Sequence, residues 1–429
     1  MSGRLATVMK WRLPRNPRMA TNMERDARKS ATAQCESSNL VQSPSPCCCP
    51  APGTTNKIDR FLRTELTESP CLVMDLDVVR AKYAALGALF PEATLYYAVK
   101  ANPAAGVLAA LAALGARFDI ASAGEMDRCR ALGISADRFS FGNTVKREHE
   151  IFRAHRSGVD LFAFDSIGEL EKIGRAAPGA RVFCRMLIDA KGADWPLTRK
   201  FGCDPQMAAE LLKRARELGL RPCGLSFHVG SQQTDPSQWR AAIGAASGIF
   251  RACAGSGLEL DFLNLGGGLP AQYRTPIPPL EDYAETIDAA LREHFAAARP
   301  QIVVEPGRYL VGDAGVLRST VLLVARKSQR ALRRWVYLDA GRYNGLPETQ
   351  GERIHYRIRT PHDGLPATPV VLAGPTCDST DIIYEHAGYE LPRDLAIGDP
   401  IDFLSGGAYT ASYASVEFNG FAPIRTYCV

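Results

Sequence analysis

From about residue 71 the chain alternates short apolar runs with segments of helical spacing. The runs are "LYYAVKAN" (95–102), "RFDIAS" (117–122), "RFSFGN" (138–143), "LFAFDS" (161–166), "RVFCRMLI" (181–188), "GLSFHVGS" (224–231), "FLNLGGG" (262–268) and "QIVVEPG" (301–307). Between them, stretches such as "AAGVLAALAALG" and "PQMAAELLKRARELG" repeat apolar residues at helical intervals and end in glycine. Eight strand-like runs, each followed by a helix, predict an α/β fold, a (β/α)8 barrel. A doubly wound open sheet is the rival, although it usually has fewer strands. After about residue 308 the rhythm changes. "VGDAGVLRSTVLLVARKS", "RRWVYLDAG", "ATPVVLAGP" and "DPIDFLSGGAYTASY" read as strands separated by turn residues. The expected organisation is therefore a barrel over 57–307 and a C-terminal mostly-β domain over 308–429. "PCLVMDLD" (70–77) either opens the barrel or adds a strand to the second domain.

Residues 1–56 differ from the rest. They are rich in Arg, Ser, Pro and Ala and show almost no apolar periodicity. They read as a disordered extension or the product of a start codon placed too early. An organelle transit peptide is the other reading, but no apolar helical face can be drawn there. The net charge of +5 comes largely from the first thirty residues, which hold eight Lys/Arg and two acids. The remainder is close to neutral, so charge gives no case for nucleic-acid binding. No run of eighteen apolar residues occurs, so no membrane helix is expected. Of twelve cysteines, Cys47 to Cys49 are adjacent and the others are scattered, with no C-x-x-C pair. Cys184 and Cys223 lie in or beside apolar runs and read as buried free thiols, which suits a reducing, cytoplasmic setting.

In such barrels chemistry sits where strands end. The ends of the eight runs hold Lys100, Asp119 with Ser122, Asn143, Asp165, Arg185, His228 with Ser231, Gly266 to Gly268, and Glu305 with Arg308. A lysine at a strand end usually just reaches solvent. Facing into a closed, partly apolar site, its amine could instead have a lowered pKa and form a Schiff base with an aldehyde cofactor. In "EPGRYLV", Pro306 and Gly307 fix a tight turn between Glu305 and Arg308. Arginine suits a phosphate and a carboxylate suits a protonated ring nitrogen, so the two could serve opposite ends of one cofactor. "LNLGGGLP" could bring bare backbone N–H groups to an anion. It lacks the G-x-G-x-x-G spacing of a nicotinamide site. In the β-domain, "GPTCDSTD" holds Cys377 beside Asp378, and "GGAYTASY" holds Tyr409. Taken singly, each of these has a structural explanation.

The ordered motifs YAVKAN, FDIASAGE, FHVGS, LGGG, EPGRY, GPTCDSTD and GAYT with FNGF resemble the fold-type III pyridoxal 5'-phosphate (PLP) decarboxylases, the alanine-racemase-like barrel enzymes. Within them the chain looks like the ornithine/lysine decarboxylases of bacterial type. The resemblance runs from about residue 58 to the C-terminus. It implies that Lys100 holds PLP, that Glu305 pairs with the pyridine nitrogen and that His228 stacks on the ring. It implies further that Ser231, Gly268, Gly307, Arg308 and Tyr409 hold the phosphate. Asp119 and Arg185, on the same rim, are expected in the cofactor site. Cys377 would protonate the α-carbon after CO₂ leaves, and Asp378 would bind the distal amine of the substrate. Both would enter from the partner subunit of a homodimer.

The expected reaction is decarboxylation of L-ornithine to putrescine, and of L-lysine to cadaverine, as in polyamine biosynthesis. A carboxylate opposite the ring nitrogen strengthens the cofactor as an electron sink, which favours decarboxylation over racemisation. Glu348 or Glu352 is expected to supply a second acid for the distal amine. Ornithine and lysine differ by one methylene, worth about 1–3 kcal/mol in discrimination. Diaminopimelate decarboxylase is the nearest alternative, and Asp378 beside the cysteine argues against it. A catalytically dead regulatory paralogue is another, and Lys100, Glu305, Arg308 and Cys377 together argue against that.

Overall fold

The computed structural model of the chain describes residues 54–429, except 66–67, 190, 196–198 and 297. The extension expected over 1–56 lies, up to residue 53, outside the described residues.

Eight parallel strands close into a barrel in chain order: Ala93–Ala98, Arg117–Ile120, Phe139–Phe141, Leu161–Phe164, Arg181–Arg185, Arg221–Ser226, Phe262–Asn264 and Gln301–Val304. The closing pair sets Ile302 opposite Ala93 and Val304 opposite Leu95. Each strand falls within, or overlaps, one of the eight apolar runs. The open-sheet rival is thereby excluded. Parallel strands are covered on both faces, which is why they read as continuous apolar stretches rather than alternating ones. One set of side chains, including Tyr96, Ala163, Phe183, Cys223, Phe262 and Val303, forms a small cluster of its own. Their neighbours, such as Tyr97, Phe162, Phe164 and Leu225, join the larger core that the helices cover. Helix starts are capped where the sequence provides for it. Ser122 Oγ accepts from the Glu125 N–H, and Glu125 returns a bond to the Ala121 N–H. Asp204 caps the helix Pro205–Glu217, whose first residue is proline.

The second domain is a nine-stranded sheet. Its main path runs Arg357–Arg359, Pro400–Leu404, Gly315–Ala325, Arg334–Leu338, Ala367–Ala373, Ile382–Tyr384. Cys71–Met74, the strand with two possible homes, belongs here. It pairs antiparallel with Gly315–Ala325 and parallel with the last strand, Arg425–Cys428. All four of its residues are buried. The β-domain thus takes strands from both sides of the barrel in sequence. It is tied to the rim at the lysine turn, where the Asn102 side chain donates to the Gly407 carbonyl at 2.8 Å.

Candidate active site

The turn after the first barrel strand presents Lys100. It is a short 3-10 segment, Val99–Ala101. Asn102 Oδ1 accepts from the Ala104 N–H at 3.0 Å, and the Tyr97 hydroxyl donates to the Asn102 carbonyl at 2.8 Å. From the other domain, the Tyr409 N–H donates to the Ala101 carbonyl at 2.9 Å and Ser412 Oγ to the Lys100 carbonyl at 3.0 Å. The "VKAN" stretch is therefore pinned from both sides, and its lysine side chain is left to project.

Lys100 lines a cavity with Ala98, His228, Ser231, Gly267, Gly268, Glu305, Gly307, Arg308 and Tyr409. Seven residues singled out beside Lys100 at strand ends and glycine turns thus converge: His228, Ser231, Gly268, Glu305, Gly307, Arg308 and Tyr409. Asp119 stands behind the lysine, with Oδ2 accepting from Nζ at 3.0 Å. Loss of hydration works to lower the Lys100 pKa, but the charges of Asp119, Tyr409 and Glu305 outweigh it and hold the amine above its ordinary value. The lowered pKa expected of a lysine in a closed site is therefore overturned. Two carboxylates and a phenol outweigh desolvation here.

Glu305 and His228 are shifted in the opposite senses that withdrawal from water gives to an acid and a base. Glu305 is pushed up to about 7 by loss of hydration and by the Asp119 charge, against the pull of Lys100. Asn264 Nδ2 donates to its Oε1 at 2.5 Å, and the Gly266 N–H holds Asn264 Oδ1 at 2.9 Å. His228 is held down to about 3 by loss of hydration and by the charges of Arg185 and Lys100. It is neutral at pH 7. The Gly230 N–H donates to its Nδ1 at 2.9 Å, which leaves the ring proton on Nε2. Arg185 lies over the Phe201 ring at 5.2 Å, and Glu305, Asp165 and Asp119 oppose the lowering of its pKa by lost hydration.

At the far end of the cavity Arg308 is buried. Its guanidinium contacts Ser231 Oγ, the Tyr273 hydroxyl and both oxygens of Glu348. Gly268 has φ +116°, and a Cβ there would sit 2.5 Å from the Gly230 carbonyl oxygen. A Cβ on Gly307 would sit 3.0 Å from the Ala101 Cβ. These glycines keep the backbone bare beside Ser231 and Arg308.

The residues present fit PLP on three counts. Asp119 Oδ1 is buried without a hydrogen-bond partner among the described residues. The glycine cradle lies beside an arginine and two hydroxyl-bearing residues, a donor set suited to phosphate. A neutral imidazole and a carboxyl group face the same cavity.

Other rim residues serve the frame instead. Ser122 is the helix cap described above. Asn143 Nδ2 donates to the Ala121 carbonyl, and Asp165 Oδ2 accepts from Thr144 Oγ1 and from the Gly202 N–H, each at 2.7 Å. Cys377 and Asp378 do not line the Lys100 cavity. Cys377 is exposed and its N–H donates to Asn419 Oδ1 at 2.9 Å, while Asp378 Oδ1 accepts from Thr380 Oγ1 at 2.7 Å. A second, open cleft lies beside that loop, lined by Arg342, Glu352, Thr380 and His386 among others. Of the two acids expected near a distal amine, Glu348 is withdrawn to Arg308. Glu352 lines the open cleft, with Oε1 accepting from the N–H groups of Glu385 and His386.

Three functional positions escape sequence reasoning: Asn264, Tyr273 and Gly142. A Cβ on Gly142 would sit 2.1 Å from Asp119 Oδ1. Gly142 is the penultimate residue of the run "RFSFGN", and that placement was its only signal.

Residues 76–312 match the family described as "Pyridoxal-dependent decarboxylase, pyridoxal binding domain". The chain is 32% identical over 355 residues to the lysine/ornithine decarboxylase of Selenomonas ruminantium, covering 82% of this chain and 88% of that one. It is also 32% identical over 374 residues to the ornithine decarboxylase of Mus musculus, covering 83% and 80%. Among solved structures, the arginine decarboxylase of Paramecium bursaria Chlorella virus is similar with a TM-score of 0.79 at 29% identity, over 87% of this chain and 99% of that one.

Proposed function

The chain belongs to the pyridoxal-dependent decarboxylases of the ornithine/lysine family, and we propose that it decarboxylates L-ornithine by preference and L-lysine as well, giving putrescine and cadaverine. It is a PLP-dependent carboxy-lyase acting on a basic amino acid. The observation that carries the reading is the convergence of Lys100, His228, Glu305 and Arg308 on one cavity whose glycine turns leave room for a phosphate.

PLP supplies an electron sink for the charge left on the α-carbon when CO₂ departs. The chain's own residues do the rest. Lys100 Nζ would hold the cofactor covalently. Asp119 keeps that amine oriented. Glu305 presents a carboxylate to the ring nitrogen, and Asn264 fixes its direction. Neutral His228 offers a flat face without adding a charge. Ser231, Gly268, Gly307, Arg308 and Tyr409 hold the phosphate, and Arg185 tempers the charge around Glu305. Cys377 Sγ delivers a proton to the α-carbon, and Asp378 pairs with the distal ammonium. On this reading both act from the partner subunit of a homodimer, which accords with their lying outside the cavity lining of their own chain. Glu352, in the open cleft beside Asp378, is the remaining candidate for a second acid. The free thiols suit a reducing cytoplasm.

A CO₂-release assay on L-ornithine, L-lysine, L-arginine and meso-diaminopimelate at equal concentration tests the reading. Ornithine should give the highest kcat/KM. Diaminopimelate should be poor, because its distal carboxylate meets Asp378 at a cost of several kcal/mol. A higher kcat/KM for diaminopimelate than for both diamino acids overturns the proposal. Arginine on top would keep the chemistry and move only the pocket.

A further inference from the structure

Arg308 and Glu348 form the most completely enclosed ion pair of the site, with side chains 2% and 4% exposed. Nη1 donates to Oε2 at 2.7 Å and Nη2 to Oε1 at 2.5 Å, so the carboxylate covers the end of the guanidinium fork. Nη1 also meets the Tyr273 hydroxyl at 2.6 Å. Nε and Nη2 converge on Ser231 Oγ at 3.2 and 3.0 Å. Every nitrogen of the guanidinium is thus engaged by the protein. Ser231 lines the cavity, whereas Glu348 and Tyr273 do not. The edge of Arg308 that a phosphate can meet is therefore the one shared with Ser231, and the charge behind it is already balanced.

We propose that Glu348 tunes the phosphate anchor: by balancing the charge of Arg308 it holds phosphate affinity below what an unpaired arginine would give. The proposal rests on the reading of Arg308 as the phosphate anchor. Two physical points support it. A buried guanidinium stripped of its anion is an uncompensated charge, and any anion that reaches it recovers that loss. A carboxylate beside a phosphate site also repels the incoming dianion. Glu348 reaches Arg308 from the β-domain side of the chain, so a purely structural role, tethering the segment Pro347–Glu352 to the barrel, is the competing explanation.

Thermal melting of the apoprotein with inorganic phosphate, and separately with PLP, distinguishes the two on wild type, Glu348→Gln, Glu348→Asp and Arg308→Gln. The Glu348→Gln apoprotein should melt lower than wild type. Its rise in Tm on adding phosphate should be larger, and its PLP dissociation constant should fall by about one order of magnitude, the scale of one charge-assisted contact. Glu348→Asp keeps the charge but withdraws it, so its phosphate response should lie between the two. It carries the test if Glu348→Gln does not fold, and a response no greater than wild type then overturns the proposal. A Glu348→Gln response equal to or below wild type also overturns it and leaves a tether. In either case, loss of the response in Arg308→Gln keeps the anchor reading alone. An unchanged response in Arg308→Gln removes the anchor and the proposal together.

Discussion

Asp119 Oδ2 accepts from Lys100 Nζ at 3.0 Å while Asp119 Oδ1, buried, has no hydrogen-bond partner among the described residues. The pair holds the amine in its charged form. Covalent attachment of an aldehyde needs the neutral amine, which becomes available only as pH rises. Asp119→Asn removes one of the charges that raise the Lys100 pKa. The pH profile of PLP attachment, fixed by borohydride and counted, should therefore move to lower pH in Asp119→Asn. Lys100→Ala should lose the label and nearly all turnover. A label on another lysine, such as Lys200, would show that the attachment point is wrong.

Gly142 gives Asp119 its room, since a Cβ there would stand 2.1 Å from Oδ1. Gly142→Ala must push the carboxylate out of line with Lys100. The cost should be that of overpacking, about 1–3 kcal/mol by denaturant unfolding, with weaker PLP binding. In an Asp119→Ala background the clash has nothing to meet, so the same substitution should cost much less. Equal costs in both backgrounds would mean that the strain falls elsewhere.

Glu305 and His228 should pull the stability of the apoprotein in opposite directions with pH. The Glu305 pKa is raised to about 7, so the folded state binds its proton more tightly than the unfolded chain does. Its contribution is complete below the unfolded value, near 4.5, and is lost as pH rises to about 7. The His228 pKa is depressed from 6.5 to about 3, so its contribution is present above 6.5 and lost as pH falls. Between about pH 4.5 and 6.5 the two slopes, each near 1.4 kcal/mol per pH unit, nearly cancel. Glu305→Gln should unmask a stability that rises with pH over this interval. His228→Asn should unmask one that falls. Identical slopes in both variants and wild type would place the shifts in other groups.

The barrel was legible because parallel strands covered on both faces leave uninterrupted apolar runs, and eight of them appear in order. The ends of those runs then located Lys100, His228, Ser231, Gly268, Glu305, Gly307 and Arg308. What was not legible depends on distance in space. Cys71–Met74 is a four-residue apolar run whose home is decided by Gly315–Ala325 and Arg425–Cys428, far along the chain. Glu348 looked like a substrate ligand because nothing in "LPETQGE" says that its partner is Arg308. Ser122 was a different kind of miss. The "SAGE" spacing is that of a capped helix start, with Ser122 Oγ accepting from the Glu125 N–H and the Glu125 carboxylate from the Ala121 N–H, a local signal that outweighs its position on the rim.

Cys377 and Asp378 are expected to act across a dimer interface, and subunit mixing tests this. Each is held within its own chain. The Cys377 N–H is fixed by Asn419 Oδ1 at 2.9 Å, and the Asp378 carboxylate by Thr380, whose hydroxyl lies 2.8 Å from that of Tyr343. The loop is therefore shaped before any partner arrives, yet it lines no part of the Lys100 cavity of its own chain. A two-fold dimer is the simplest assembly that brings such a loop to a second cavity, because one contact made twice completes both sites. Lys100→Ala and Cys377→Ala should each be inactive alone. Mixed and allowed to exchange, about half of the dimers become hybrids, and each hybrid holds one site with an intact lysine and an intact cysteine. Activity should recover to a ceiling of about one quarter of wild type. A mixture that stays inactive, with exchange verified by differently tagged subunits, would mean that each site is built from one chain. Cys377 would then have to reach Lys100 by a movement within its own subunit.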